Sequence, residues 1–161
     1  MKFRPLFLFV LVLSLLPLAG CKPKPEALMT AVKADNSAEV AELIKKGADV
    51  NSGTTPNGWS ALHYAARNGN VEIVQQLLSA GANPNYAGNM EGQANSAASL
   101  KPLVLAQVSM DLLTQVPPTQ IEEKLHQNGL DDPALVKSLK DPNAADRYQK
   151  VIEILSPVTK Q

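Results

Sequence analysis

The sequence predicts an all-α solenoid of about three helix pairs, the third pair interrupted by a helical insertion. Three observations carry that expectation. Gly47-Ala48-Asp49-Val50-Asn51 returns as Gly81-Ala82-Asn83-Pro84-Asn85, an offset of 34 residues. The same offset carries Leu28 onto Leu62, Ala31 onto Ala65, Lys33 onto Arg67, Asn36 onto Asn70, Val40 onto Val74, and Leu43-Ile44 onto Leu77-Leu78, with the apolar members at helical spacing. Finally, a pair of such short helices cannot cover its own apolar face, so the units must stack to bury it.

In chain order, Lys2 and Arg4 precede an apolar run from Leu6 to Leu16 in which only Ser14 is polar. That run is short for a permanent membrane span and suits a secretion leader; an uncleaved anchor is the competing reading. Pro17 breaks it ahead of Leu18-Ala19-Gly20-Cys21, which resembles the bacterial lipobox in residue type, order and distance from the start. The resemblance implies that residues 1–20 are a lipoprotein signal peptide and that Cys21 is the lipidation site. Residues 21–26 then form a short tether, and 27–161 the repeat domain. Acyl chains hold such a domain to a leaflet at about 0.8 kcal/mol per buried methylene. Lys22 stands where Asp marks inner-membrane retention in similar enterobacterial lipoproteins, which implies the outer membrane, facing the periplasm.

The first unit runs from Leu28 to Asn51. In the second, Ser60 can cap a helix ending near Arg67, and Asn68-Gly69-Asn70 stops it with residues that tolerate positive φ. Val71 to Ser79 reads as a second helix with Ile73, Val74, Leu77 and Leu78 inward, and Gly81 turns the chain away. In the later part, Pro117-Pro118 stops a helix, Thr119 and Glu122 have capping-box spacing, and Gly129 closes the helix they would start. Asp132-Pro133 and Asp141-Pro142 each put a cap residue before a proline suited to a first turn. Ser156-Pro157 ends the last helix.

Composition narrows the function. Phe3, Phe7 and Phe9 lie in the leader, leaving Trp59, Tyr64, Tyr86 and Tyr148 as the aromatics of the remainder. Without Lys2 and Arg4 the basic total falls from 15 to 13 against 15 acidic side chains, so there is no basic stripe for a phosphate backbone and nucleic-acid binding is not expected. Cys21 is the sole cysteine, so no disulfide is expected and stability must come from packing.

Gly58-Trp59-Ser60-Ala61-Leu62-His63-Tyr64-Ala65-Ala66-Arg67-Asn68-Gly69-Asn70-Val71-Glu72-Ile73-Val74 resembles an ankyrin repeat. The family's Thr-Pro-Leu-His stands here as Ser60-Ala61-Leu62-His63, and its closing Gly-Ala-Asp-Val-Asn is intact at Gly47 to Asn51. The unit from Leu28 is similar to a shortened capping copy. Lys101-Pro102-Leu103-Val104-Leu105-Ala106 resembles the first-helix signature of a third copy, and Tyr148 to Ser156 its second helix. Two insertions follow from that alignment, one from Tyr86 to Leu100 and one over about 116–143; a degenerate extra helix pair is the alternative for the second.

The resemblance implies protein binding through the inter-repeat tips and the concave side of the first helices. Carried onto this sequence, the candidate partner-binding residues are Pro56, Asn57, Trp59, Arg67 and Asn68, joined by Tyr86 and Met90 on the enlarged loop. Trp59 takes a position the family leaves solvent-facing, where it would serve as an anchor; packing beneath the loop from Tyr86 is the other reading. The family's equivalent of His63 ties neighbouring repeats together by hydrogen bonds.

Chemistry is sparsely represented. His63 and His126 are the only histidines, no spacing resembles a zinc site, and neither a phosphate loop nor a nucleophile elbow is present. Glu122-Glu123 and Asp131-Asp132 are adjacent in sequence, and on a helix neighbours point about 100° apart, so each pair diverges. No cofactor, metal or small-molecule substrate is expected, and no catalytic residue is assigned. The expectation is a non-enzymatic, lipid-anchored protein-binding chain of the bacterial envelope, in the role of an immunity protein against a periplasm-acting toxin such as a lipase effector. A scaffold for a resident envelope protein is the alternative. An enzyme with its site in the insertion would have to use His126, Glu122 or Glu123.

Overall fold

The computed structural model describes residues 22–52, 55, 58–87, 100–128, 130 and 132–160. Cys21, Pro56, Asn57, Met90, Gly129 and Asp131 lie outside the described residues. The described residues form an all-α solenoid of three helix pairs, the third interrupted by further helices.

Pro at the first turn starts α1 (Pro25–Lys33), which buries Leu28, Met29, Ala31 and Val32. Asp35 then takes φ 58°, and the Asn36 side chain accepts from the Glu39 N–H at 3.2 Å to open α2 (Ser37–Lys45). The second pair repeats that design. α3 (Ala61–Arg67) is buried along its whole length. Gly69 takes φ 62° where Asp35 stood, and Asn70 caps α4 (Val71–Ser79), accepting from the Ile73 N–H at 2.9 Å. Of the Asn68-Gly69-Asn70 stop, only Gly69 uses positive φ; Asn68 stays right-handed and Asn70 serves as the next cap. Gly47 and Gly81, at φ 83° and 87°, make the second equivalent turn.

α5 (Pro102–Gln115) and α8 (Ala144–Leu155) pack against each other as the third pair. The first helices α1, α3 and α5 lie side by side in one layer, and α2, α4 and α8 form the other. One core runs through both, from Leu28 and Val32 through Leu62, Ile73 and Leu77 to Ala106, Val151 and Leu155.

Between α5 and α8 come a short 3-10 turn (Pro118–Gln120), α6 (Ile121–Gln127) and α7 (Pro133–Leu139). Ile121, Leu125, Leu135 and Leu139 build a second cluster there with Ala144 and Tyr148 of α8, and Leu112 and Leu113 of α5 pack on it. Two caps expected from sequence do not form. Thr119 lies inside the 3-10 turn, α6 begins after Gln120 without a side-chain cap, and the Glu122 carboxylate goes to Lys140. Asp141 accepts from the Asn143 N–H at 2.7 Å in a turn, so Pro142 precedes the helix instead of opening it. Asp132 does cap α7, its Oδ1 accepting from the Ala134 and Leu135 N–H groups at 2.9 and 3.4 Å.

Hydrogen bonds at the repeat edges register the stack. The Asn51 side chain donates to the Gly81 carbonyl at 2.9 Å and accepts from the Asn83 N–H at 2.8 Å. Asn85, one offset later, donates to the Val158 carbonyl at 3.3 Å and accepts from the Lys160 N–H at 2.6 Å. The same side chain therefore staples the second repeat to the first and the turn after α8 to the second.

Candidate functional site

Of the residues singled out by the family resemblance, Trp59, Arg67 and Asn68 lie on or beside α3, in a setting different from the solvent-facing one expected. Trp59 is 3 % exposed, Arg67 4 % and Asn68 1 %. The solvent-facing placement is corrected for all three: α7 closes over the end of α3. Most of the loop after Tyr86 lies outside the described residues; among the described ones, α5, α6 and α7 contribute residues to the space that Trp59 faces.

Asp132 explains the closure. Its Oδ1 caps α7 while its Oδ2 takes an ion pair from the Arg67 guanidinium. Arg67 lies between two rings, 5.3 Å from the Trp59 centroid and 5.0 Å from that of Tyr64. Trp59 and Tyr64 meet edge to face at 5.2 Å, and Lys33 of α1 covers Tyr64 at 4.5 Å. A cation at this depth is tolerable because a carboxylate and two aromatic faces replace its water.

Main-chain oxygens at the end of α3 hold the insertion and the third repeat. The Arg67 carbonyl accepts from Ser109 Oγ of α5 at 3.1 Å and from the Tyr148 hydroxyl of α8 at 2.7 Å. The Asn68 carbonyl accepts from Ser138 Oγ of α7, while Arg147 Nη2 donates to the Ser138 carbonyl at 2.9 Å. Burial pushes the Tyr148 phenol above its ordinary pKa, so it stays a neutral donor.

His63 is held at both ring nitrogens. Ser60 N–H donates to Nδ1 at 3.1 Å, and Ser60 Oγ stands 2.8 Å from the same atom. Nε2 lies 3.0 Å from the Leu100 carbonyl. A carbonyl can only accept, so Nε2 carries the proton and Nδ1 accepts. Burial lowers the pKa from 6.5 to about 4 against the opposing pull of the Leu100 and Tyr86 carbonyls. His63 thus joins the second repeat to the threshold of the third. Tyr86, partly buried, meets the imidazole edge to face at 6.0 Å.

The residues of the enzyme alternative do not converge. Glu122 is exposed and paired with Lys140, which holds its carboxyl below the usual range. Glu123 accepts from Gln127 at 3.2 Å along the same helix, and His126 is exposed on it. Among the described residues no group of His, Cys, Asp and Glu could hold a metal ion, and no helix is long and apolar enough to cross a membrane. Sequence reasoning missed Ser109, Ser138, Tyr148 and the second oxygen of Asp132. The Asp132-Pro133 cap was the one signal in that group.

Comparison with known proteins agrees with this architecture. Residues 9–87 match the family model for ankyrin repeats in three copies. The mitochondrial disaggregase of Bos taurus is 52 % identical over 74 residues, covering 46 % of this chain and 11 % of that protein. The ankyrin repeat and SAM domain-containing protein 6 of Danio rerio is 32 % identical over 124 residues, 74 % of this chain and 17 % of that protein. An ankyrin repeat-containing protein of Treponema pallidum (strain Nichols) is 34 % identical over 116 residues, 71 % of this chain and 37 % of that protein. The chain therefore spans between 11 % and 37 % of the length of these relatives.

Proposed function

From the premise that this chain is an ankyrin-repeat solenoid, we propose that it is a lipid-anchored binding protein of the bacterial envelope. In this reading Cys21 carries the lipid, the domain faces the periplasm from the outer membrane, and the protein neutralises a periplasm-acting toxin such as a lipase effector. Ankyrin repeats mediate protein–protein binding, which supports a protein partner. The observation that carries the reading is Leu18-Ala19-Gly20-Cys21 with only Lys22, Pro23 and Lys24 between it and α1. A binding array moored that closely to a leaflet meets a membrane-attacking enzyme at high effective concentration.

The contact surface follows from what is enclosed. Trp59, Arg67 and Asn68 are buried within the fold, so the inter-repeat segments bearing Pro56, Asn57, Tyr86 and Met90 are the surface we assign to the partner. Periplasmic expression of a candidate toxin with and without this protein tests the role: protection that needs Cys21 supports it, and equal killing in both strains rejects it for that toxin. Capture of a resident envelope protein, with no protection against any toxin encoded nearby, would reassign the chain as a scaffold.

A further inference from the structure

The two hydrophobic clusters do not close fully on each other. Between them lies a cleft of about 330 Å³, with Trp59 and Leu105 of the repeat core on one side and Leu112, Leu125, Leu135 and Leu139 on the other. Ligand sites begin at about 300 Å³, so the volume suffices for a small molecule. An apolar void left empty costs stability in proportion to its volume, and water settles only where polar partners await it.

Here the polar groups are few, and three residues that carry them already bond within the fold. Of the polar residues on the wall, Arg67 is ion-paired with Asp132, Ser109 Oγ donates to the Arg67 carbonyl at 3.1 Å, and Asn128 Nδ2 donates to the Lys124 carbonyl at 2.7 Å. What faces the cleft is mostly hydrocarbon and an indole, and the charge of Arg67 is answered by Asp132. At the rim stands Val108, 51 % exposed and the more exposed of two large apolar side chains that face solvent among the described residues.

We propose that this cleft binds one neutral hydrocarbon chain, alkyl or acyl, entering past Val108. At about 30 Å³ per water-sized group the space takes a chain of roughly ten methylenes. Arg67 does not recruit a charged head, because Asp132 already answers it. The proposal stands independently of the toxin reading, since it uses none of the inter-repeat segments.

Trp59 is the only tryptophan, so its emission reports the cleft without labelling. The full-length chain is titrated with 1-bromodecane, whose bromine quenches indole on contact. Saturable quenching at one equivalent is expected, with 1-decanol restoring the emission by displacement. Leu112→Phe fills the space and should weaken binding by about tenfold. Val108→Phe obstructs the rim with a similar effect, and its exposure keeps the test valid if the first variant fails to fold. Vesicles of phosphatidylcholine brominated in the acyl chains separate the sources: saturable quenching by them assigns a bilayer lipid, and quenching by monomeric bromodecane alone assigns a soluble hydrocarbon. Quenching that rises linearly without saturation in both arms, or saturable quenching that folded Val108→Phe leaves unchanged, would overturn the proposal.

Discussion

The Tyr148 hydroxyl donates to the Arg67 carbonyl at 2.7 Å while its ring fills the space beside Gly69, where a Cβ would lie 2.8 Å from ring carbon Cε1. Asp35 occupies the equivalent turn one repeat earlier, and there Asn70 Nδ2 donates to Asp35 Oδ1 at 2.7 Å. A polar staple between the first two repeats is replaced by an aromatic one between the second and third.

Gly69→Ala therefore meets two costs, a left-handed φ of 62° and a collision with a buried ring. The sum is about 2–4 kcal/mol. Gly47→Ala, at φ 83° with nothing within 4 Å of its Cβ, bears only the backbone cost of about 1–2 kcal/mol. Urea unfolding of the two variants should rank them in that order. Equal losses would mean that Tyr148 yields freely.

The buried imidazole makes stability depend on pH. The folded pKa of His63 is about 4 against 6.5 when unfolded, so between those values the unfolded chain binds more protons. Its contribution is fully present above pH 6.5 and is lost as pH falls toward 4, by on the order of 3 kcal/mol. His63→Gln should be less stable at pH 7 and show a flatter profile over that window. An unchanged slope would remove His63 as its source.

Asp132 has two duties that substitution can separate. Asp132→Asn keeps a good cap for α7 but withdraws the carboxylate from Arg67, at about 2–3 kcal/mol after allowance for the partial exposure of the aspartate. Asp132→Ala should lose about 1 kcal/mol more, the value of the cap. Indistinguishable thermal melts of the two would show that the cap contributes nothing.

Asn85→Ala releases the turn after α8, and Asn51→Ala loosens the corresponding junction one repeat earlier. Each should cost about 1 kcal/mol. Amide exchange tells them apart: only the first variant should speed exchange at Lys160, and only the second at Asn83.

The pair α3 and α4 was legible to the residue, because periodicity, Ser60, Asn70 and the glycines all mark the same boundaries. Pairing of α5 with α8 across the insertion was readable from the apolar pattern near Val151 and Leu155. The closure of α7 over α3 was not. Arg67 and Asp132 stand 65 positions apart, and nothing in either neighbourhood marks them as partners. For Trp59 the sequence left open an exposed anchor and packing beneath the loop from Tyr86; the exposed reading rested on analogy with a surface that is buried here. The failed cap at Thr119 has a local cause, since Pro118 starts a 3-10 turn that absorbs it.

The closure of α7 over α3 is tested most directly by acrylamide quenching of Trp59 in the folded chain. Burial of the indole to 3 % exposure calls for weak quenching and blue-shifted emission, both moving toward solvent values when Leu135→Asp opens the insertion. Quenching of the wild-type protein as strong as that of free tryptophan would contradict the closed arrangement.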